Sequence, residues 1–253
     1  MPTMHRMGVT KRFVPAIAVA VLAVALSGCF GPKGAPARPV VILYGDSLSW
    51  ESGGAFQLAL GPGVEVVHRN FPAMAICDYF DEMASDVDAL RPSAVVFEFA
   101  GNVLTPCVRP FIGSTSTLVS KYAGDAAAAT AIFTSRGVPV YLIGAPLLPG
   151  WNPDPTPQLH AAYAAVATLA GPLASFTNAG RAVLDAQGGY TDTLPCLPGE
   201  GPAQGCNGGR ITVRSPDRVH FCPAGGDPCP VWSSGAWRFG AAMAAPVRRG
   251  LGL

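Results

Sequence analysis

The hydrophobic pattern of the chain alternates between short apolar runs rich in β-branched residues and longer segments typical of helices. It predicts four strands, over residues 40–44, 64–67, 94–99 and 138–143. Helices are predicted around residues 55–60 and over residues 79–90, 118–135, 158–173 and 232–247. This alternation favours right-handed crossovers and an α/β fold with a central parallel sheet covered on both faces. We expect one domain over residues 39–253, with long loops between about residues 190 and 230.

The N-terminal segment has the pattern of an export signal. Basic residues precede an almost unbroken apolar run over residues 14–26, which ends before Ser27, Gly28 and Cys29. The run is shorter than the roughly 20 residues that a membrane-spanning helix needs. Leu26-Ser27-Gly28-Cys29 resembles the bacterial lipobox, which implies a lipoprotein signal peptide over residues 1–28 and lipidation of Cys29. An ordinary cleaved signal and a short uncut anchor are the alternatives.

Export changes the interpretation of the composition. Residues 29–38 are rich in Gly and Pro and are expected to form a tether between the lipid and the domain. Removal of Arg6, Lys11 and Arg12 leaves 14 basic against 16 acidic residues, a net charge of about −2. That balance excludes the basic surface of a nucleic-acid binder. Two or more acyl chains would hold the protein firmly at the membrane, so we expect a lipid-anchored monomer on the extracytoplasmic face.

The cysteine count fits an oxidising compartment. Of the seven cysteines, six remain besides Cys29, and an even number outside the cytoplasm indicates disulfides. Proximity in the sequence favours three pairs: Cys196–Cys206, Cys222–Cys229 and, by remainder, Cys77–Cys107. Zinc binding is the alternative, but the close spacing of zinc ligands is missing. We therefore expect neither a metal nor another cofactor.

A candidate nucleophile follows the first predicted strand. Gly45, Asp46 and Ser47 lie where open α/β sheets place their sites, past the carboxyl end of a strand. The N-terminus of the following helix offers N–H groups to an oxyanion. Asp46 and Ser47 are also good helix caps, so this segment alone does not distinguish a catalytic serine from a structural one.

A serine nucleophile needs a base, and the four histidines differ in their surroundings. His5 belongs to the signal, His68 ends a strand beside Arg69, and His160 is expected on the solvated face of an alanine-rich helix. His220 follows Asp217 by three residues. Residues three apart share a face of a turn, so Asp217 is placed to accept from the His220 ring. A merely local turn hydrogen bond is the alternative.

Together these residues resemble the GDSL/SGNH hydrolases, and the resemblance extends over the whole mature domain. Gly45-Asp46-Ser47-Leu48 and Asp217-x-x-His220 match the first and last of the four blocks of that family. Gly101-Asn102 matches the third block, whose asparagine donates to the oxyanion, and residues 70–78 match the second. The resemblance implies a flavodoxin-like three-layer α/β/α sandwich, and the cysteines in the middle blocks look most like an exported actinobacterial branch.

Two positions depart from the family pattern. Ala73 stands where the family has a glycine that donates its N–H to the oxyanion, and alanine can serve there if its φ is negative. Val103 replaces an aspartate that follows the asparagine. The implied oxyanion hole is Ser47 N–H, Ala73 N–H and the Asn102 amide.

The resemblance implies a serine esterase that acts on carbohydrate or lipid esters of the envelope or the extracellular space. Acyl transfer between envelope glycans and a non-catalytic binding protein are the alternatives. Three tryptophans are candidates for stacking on sugars, although packing is their commoner role: Trp151, Trp232 and Trp237. Residues 146–157 are a candidate rim over the site.

Overall fold

The central element of the fold is a parallel sheet whose strand order is β2-β1-β3-β4-β5. A computed structural model describes residues 38–253. The strands are β1 (Val40–Gly45), β2 (Glu65–Asn70), β3 (Ala94–Glu98), β4 (Val140–Ile143) and β5 (Ala174–Thr177). β1 pairs with β2 on one side and with β3 on the other, so the direction of winding reverses at β1. In doubly wound sheets, ligands bind beyond the carboxyl ends of the strands at this point.

Helices cover both faces of the sheet and form two separate apolar layers. They are α1 (Ser47–Leu60), α2 (Phe80–Ala89), α3 (Thr115–Thr134), α4 (Thr156–Ala170) and α5 (Ser234–Leu251). One apolar cluster joins the sheet to α2, α3 and α4, and the other joins it to α1 and α5. The strands β1 and β3 are buried on both faces, which explains why both are apolar except for Glu98 at the end of β3. The predicted three-layer α/β/α sandwich is therefore confirmed.

The elements differ from the sequence-based expectation in three places. The prediction missed β5, a short strand in which Ser175 and Thr177 interrupt the apolar pattern. The first helix begins at Ser47, well before residue 55, because Asp46 caps it. The loops after residue 190 contain a small antiparallel hairpin, β6 (Thr193–Pro195) and β7 (Arg210–Thr212).

The six cysteines of the domain form the three disulfides favoured by sequence proximity. Cys77–Cys107 joins the segments that follow β2 and β3, while Cys196–Cys206 and Cys222–Cys229 close short loops. The predicted signal peptide, Cys29 and most of the tether lie outside the described residues. Within residues 38–253, no helix combines the length and apolarity that crossing a membrane requires.

Candidate active site

Ser47 lies at the first position of α1, immediately after the carboxyl end of β1. Asp46 is the N-cap, and its Oδ1 accepts a hydrogen bond from Leu48 N–H at 3.0 Å. Gly45 is required by close packing: a Cβ there would lie 2.0 Å from Ser49 Oγ and 2.6 Å from the Glu98 carbonyl oxygen. The segment is therefore a capped helix start, which was the structural role considered for Asp46 and Ser47 in the sequence. It also presents Ser47 at the edge of the sheet.

The side chains of Ser47, His220 and Asp217 form a continuous hydrogen-bonded chain. Ser47 Oγ lies 2.8 Å from His220 Nε2, and His220 Nδ1 lies 2.6 Å from Asp217 Oδ2. An ionised carboxylate accepts only, so Nδ1 carries the proton and Nε2 accepts from the Ser47 hydroxyl. This is the arrangement of a nucleophile, a base and a group that orients the base.

Asp217 also organises the turn that carries His220. Its Oδ1 accepts hydrogen bonds from the N–H groups of Val219 at 2.8 Å and His220 at 3.0 Å. Partial burial of the carboxyl opposes ionisation, but the hydrogen bonds from the His220 side chain and from these two N–H groups lower the pKa of Asp217 to about 2. Asp217 therefore makes both the local turn bonds and the bond to the His220 ring, because Oδ1 accepts the former and Oδ2 accepts the latter.

Two residues that the sequence analysis did not identify hold the His220 turn in place, one from α1 and the other through the loop after β4. Glu51 lies one helical turn after Ser47, and its Oε2 accepts from Phe221 N–H at 2.6 Å. Arg214 is buried, and its Nη2 donates to the carbonyl oxygens of Leu147 and Arg218. For Glu51, the sequence signal for a place near the site is its i, i+4 spacing from Ser47 on one helix. Arg214 gave none, because its acceptors are backbone oxygens.

The predicted oxyanion donors lie beside Ser47, but Ala73 has an unexpected conformation. Ala73 and Asn102 line the same cavity as Ser47 and His220. The φ of Ala73 is +67°, so the negative φ that was the condition for alanine at this position is not met, and the case for Ala73 as a donor rests on its N–H group alone. A positive φ favours glycine because Cβ meets the carbonyl oxygen. Within residues 38–253, the N–H groups of Ser47 and Ala73 donate to no acceptor, and both remain available to a ligand.

The Asn102 side chain is oriented mainly by a buried carboxylate. Gly101, at φ +100°, turns the chain after β3, where a Cβ would lie 2.9 Å from Leu159. Asn102 Nδ2 donates to Asp46 Oδ2 at 3.0 Å, and it lies 3.4 Å from the Met74 carbonyl oxygen. The long second contact leaves one amide hydrogen weakly engaged, so Asn102 can donate it to an oxyanion.

A pair of buried carboxyl groups lies beneath the nucleophile. Asp46 and Glu98 are both fully buried. Asp46 accepts from three donors (Leu48 N–H, Ala100 N–H and Asn102 Nδ2). Glu98 Oε2 accepts only from Ser49 N–H, and its Oε1 has no partner among the described residues. Burial and the neighbouring Asp46 raise the pKa of Glu98 well above its usual range. Burial also raises the pKa of Asp46, but its three hydrogen-bond donors make Asp46 the better stabilised anion of the two.

Some of the remaining candidates lie where they were expected and others do not. His160 is half-buried against Phe176, with Nε2 2.8 Å from the Ala145 carbonyl oxygen, so its predicted solvated position is wrong. Trp232 and Trp237 pack against each other with ring centroids 5.6 Å apart and planes tilted by 39°, and neither lines a cavity at Ser47. Trp151, within the predicted rim, lines the cavity beside Ala73 and Asn102. His68 contacts Gln57 on the outside of β2, as a packing residue does.

Two cavities meet at Ser47. Both are bounded by Ser47, Pro72, Asp217 and His220. The smaller, about 360 Å³, contains the oxyanion donors. We call the larger one, about 580 Å³, the Trp50 cleft; its further lining comprises Trp50, Glu51, Ser215, Pro216, Cys222, Ala224, Gly225, Gly226 and Asp227. The reactive side chains are therefore accessible from two sides.

No protein-family model and no curated protein matches the sequence, but solved structures share its fold. A G-D-S-L family protein from Desulfitobacterium hafniense DCB-2 superposes with a TM-score of 0.53 at 14% identity, over 82% of this chain and 98% of that one. The carbohydrate acetylesterase Est24 from Sinorhizobium meliloti gives 0.51 at 15%, over 84% and 99%. A protein named as an arylesterase from Agrobacterium tumefaciens gives 0.54 at 17%, over 83% and 99%. The described domain therefore has the SGNH hydrolase fold.

Proposed function

We propose that this protein is a serine hydrolase of carboxylic esters, with Ser47 as nucleophile, His220 as base and Asp217 as the group that orients the base. The observation that carries the proposal is the hydrogen-bonded chain of these three side chains, with contacts of 2.8 Å and 2.6 Å, open to two cavities. The esterases among proteins of the same fold support the proposal. We propose membership of the GDSL/SGNH family on the same basis.

The proposed reaction proceeds through an acyl-enzyme. His220 Nε2 takes the Ser47 hydroxyl proton while Oγ attacks the ester carbonyl carbon. The imidazolium then donates that proton to the leaving alcohol oxygen as the bond from carbon to that oxygen breaks. Water then attacks the acyl carbon while His220 Nε2 takes one of its protons. The imidazolium returns that proton to Ser47 Oγ as the bond from Oγ to the acyl carbon breaks, and the carboxylic acid is released. The ionised Asp217 stabilises the imidazolium in both halves.

The proposed oxyanion hole consists of Ser47 N–H, Ala73 N–H and the Asn102 amide. Its support is that both N–H groups lack another acceptor within the described residues and that all three border one cavity with the nucleophile. Loss of one such donor typically costs about 10²–10³ in turnover. The contact of Asn102 with Asp46 holds the amide in place before substrate arrives, which limits the reorganisation that the reaction requires.

We also propose where the reaction takes place. The lipobox-like sequence ending at Cys29 and the three disulfides together support an exported protein, anchored by lipid at the extracytoplasmic face of the membrane. Its substrates are then esters of envelope or extracellular carbohydrate or lipid, and it acts as a monomer.

The test is Ser47→Ala in the full chain, assayed on p-nitrophenyl acetate. We expect turnover to fall about 10³-fold or more, because no other group supplies the acyl acceptor. Ser116→Ala, at an exposed position of α3, is the matched control and should retain activity. Retained hydrolysis in Ser47→Ala, or failure of a fluorophosphonate to label Ser47 in the folded wild type, contradicts the proposal.

A further inference from the structure

The Trp50 cleft lies on the opposite side of Ser47 from the oxyanion donors. Ala73 and Asn102 line only the smaller cavity, while His220 borders both. In the tetrahedral intermediate the oxyanion and the leaving oxygen occupy different corners of the same carbon. An oxyanion directed at Ala73 and Asn102 leaves the alcohol oxygen on the side of His220 that faces the Trp50 cleft. The cleft is thus placed to hold the alcohol part of the ester.

Trp50 provides a fixed aromatic surface in this cleft. It lies three residues after Ser47 on α1, and its side chain is 41% exposed. Its ring stacks on Phe71, itself 48% exposed, with centroids 5.7 Å apart and an interplanar angle of 30°. Trp50 Nε1 donates to Asp227 Oδ1 at 2.9 Å. The ring is therefore held in position while much of it stays open to a ligand, and such preorganisation lowers the entropic cost of binding.

The wall facing Trp50 belongs to the loop closed by the Cys222–Cys229 disulfide. Ala224, Gly225, Gly226 and Asp227 of this loop line the cleft. The hydrogen bond from Trp50 to Asp227 joins the wall to the nucleophile helix. Both sides of the cleft are therefore held without a ligand, one by the disulfide and the other by the helix.

The charges of the cleft select among possible alcohols. Glu51, Asp217 and Asp227 place three carboxyl groups on its wall, and within residues 38–253 no Lys or Arg side chain lines it. An anionic group such as a phosphodiester or a uronate would be repelled. Asp227 Oδ1 and Glu51 Oε2 already accept from the protein, and a fatty alcohol would offer no donor to the second oxygen of either group. Hydroxyl groups supply those donors, and a sugar ring also offers an apolar C–H face to the tryptophan.

We propose that the Trp50 cleft binds the alcohol part of the substrate and that this part is an uncharged carbohydrate ring, stacked on Trp50 with hydroxyls donating to Asp227 and Glu51. The proposal rests on the proposed ester hydrolysis at Ser47. It makes Trp50 a specificity-determining residue for the leaving group. The smaller cavity then receives the oxyanion and a short acyl group.

The test compares two acetyl esters that differ only in the alcohol: mono-acetylated methyl glucoside and ethyl acetate, whose alcohol has no ring to stack on Trp50. We expect Trp50→Ala in the full chain to lower the ratio of kcat/KM for the glucoside to kcat/KM for ethyl acetate by about tenfold. Trp232→Ala removes an exposed tryptophan outside the cleft and should leave the ratio unchanged. A Trp50→Ala ratio within twofold of wild type overturns the proposal.

A second variant tests the charge of the cleft. Asp227→Asn keeps an oxygen acceptor for Trp50 and removes one negative charge. We expect it to raise kcat/KM for an acetylated methyl glucuronide about threefold relative to the acetylated glucoside. No change in that ratio, or a wild type that prefers the glucuronide, contradicts an uncharged ring.

The experiments distinguish a failure of the carbohydrate proposal from a failure of the proposed ester hydrolysis. If wild type hydrolyses ethyl acetate and Ser47→Ala does not, ester hydrolysis stands whatever happens at Trp50. If wild type hydrolyses neither ester, the proposed function itself fails.

Discussion

Replacing Ala73 with glycine is expected to stabilise the domain, the opposite of the usual effect of this substitution. The φ of Ala73 is +67°, and the left-handed region costs an L-residue roughly 1–2 kcal/mol because Cβ approaches the carbonyl oxygen. Glycine removes that strain but adds about 0.4–1 kcal/mol of backbone entropy to the unfolded chain. Ala73 is only half-buried, so its methyl group contributes little burial. The net expectation is a gain of about 0.5–1 kcal/mol.

The assay is thermal and urea unfolding of Ala73→Gly with the disulfides intact. For a domain of this size, 1 kcal/mol shifts Tm by about 2–4 °C, so Tm should rise by about 2 °C. The matched control is Ala128→Gly, at an exposed position within α3, which should lose about 1 kcal/mol as glycine does in helix interiors. A decrease in Ala73→Gly comparable with that of the control would refute a left-handed conformation at Ala73.

Two further predictions concern groups around the site. Glu98→Gln should gain stability relative to wild type as pH rises from 4 to 7, because the unfolded Glu98 carboxyl loses its proton above its usual pKa of 4.5 while the folded one keeps it. Urea unfolding at the two pH values measures this, and a difference that does not change with pH contradicts a protonated Glu98. Cys77→Ser/Cys107→Ser should lose about 2–4 kcal/mol, since the bridge closes a loop with a sequence separation of 30. The double variant should also lower kcat of the folded fraction, because the bridge joins the segments that carry Ala73 and Asn102. If kcat is unchanged, the bridge contributes to stability and not to the arrangement of the oxyanion donors.

The sequence by itself determined the α/β architecture, because alternating strand and helix patterns along the chain are enough to imply a parallel sheet. Runs such as residues 40–44 and 94–97 are apolar on both faces, as strands of a buried parallel sheet are, and the segments between such runs have helical length. β5 escaped prediction because it lies at the edge of the sheet, where Ser175 and Thr177 are tolerated. Ser47, Asp217 and His220 were identifiable because each lies within a short, recognisable stretch of chain.

Only the tertiary structure decided how these residues are supported and what surrounds them. Trp50 meets Asp227 across 177 positions of sequence, and Glu98 lies beneath Ser47 because β1 and β3 are neighbours. The left-handed φ of Ala73 was not predictable from the residue type, because alanine disfavours a positive φ. It depends on how the segment after β2 packs. Local patterns specify hydrophobic faces, caps and turns. The raised pKa of Glu98 and the lining of the Trp50 cleft depend on groups brought together from distant parts of the chain, and no single segment encodes them.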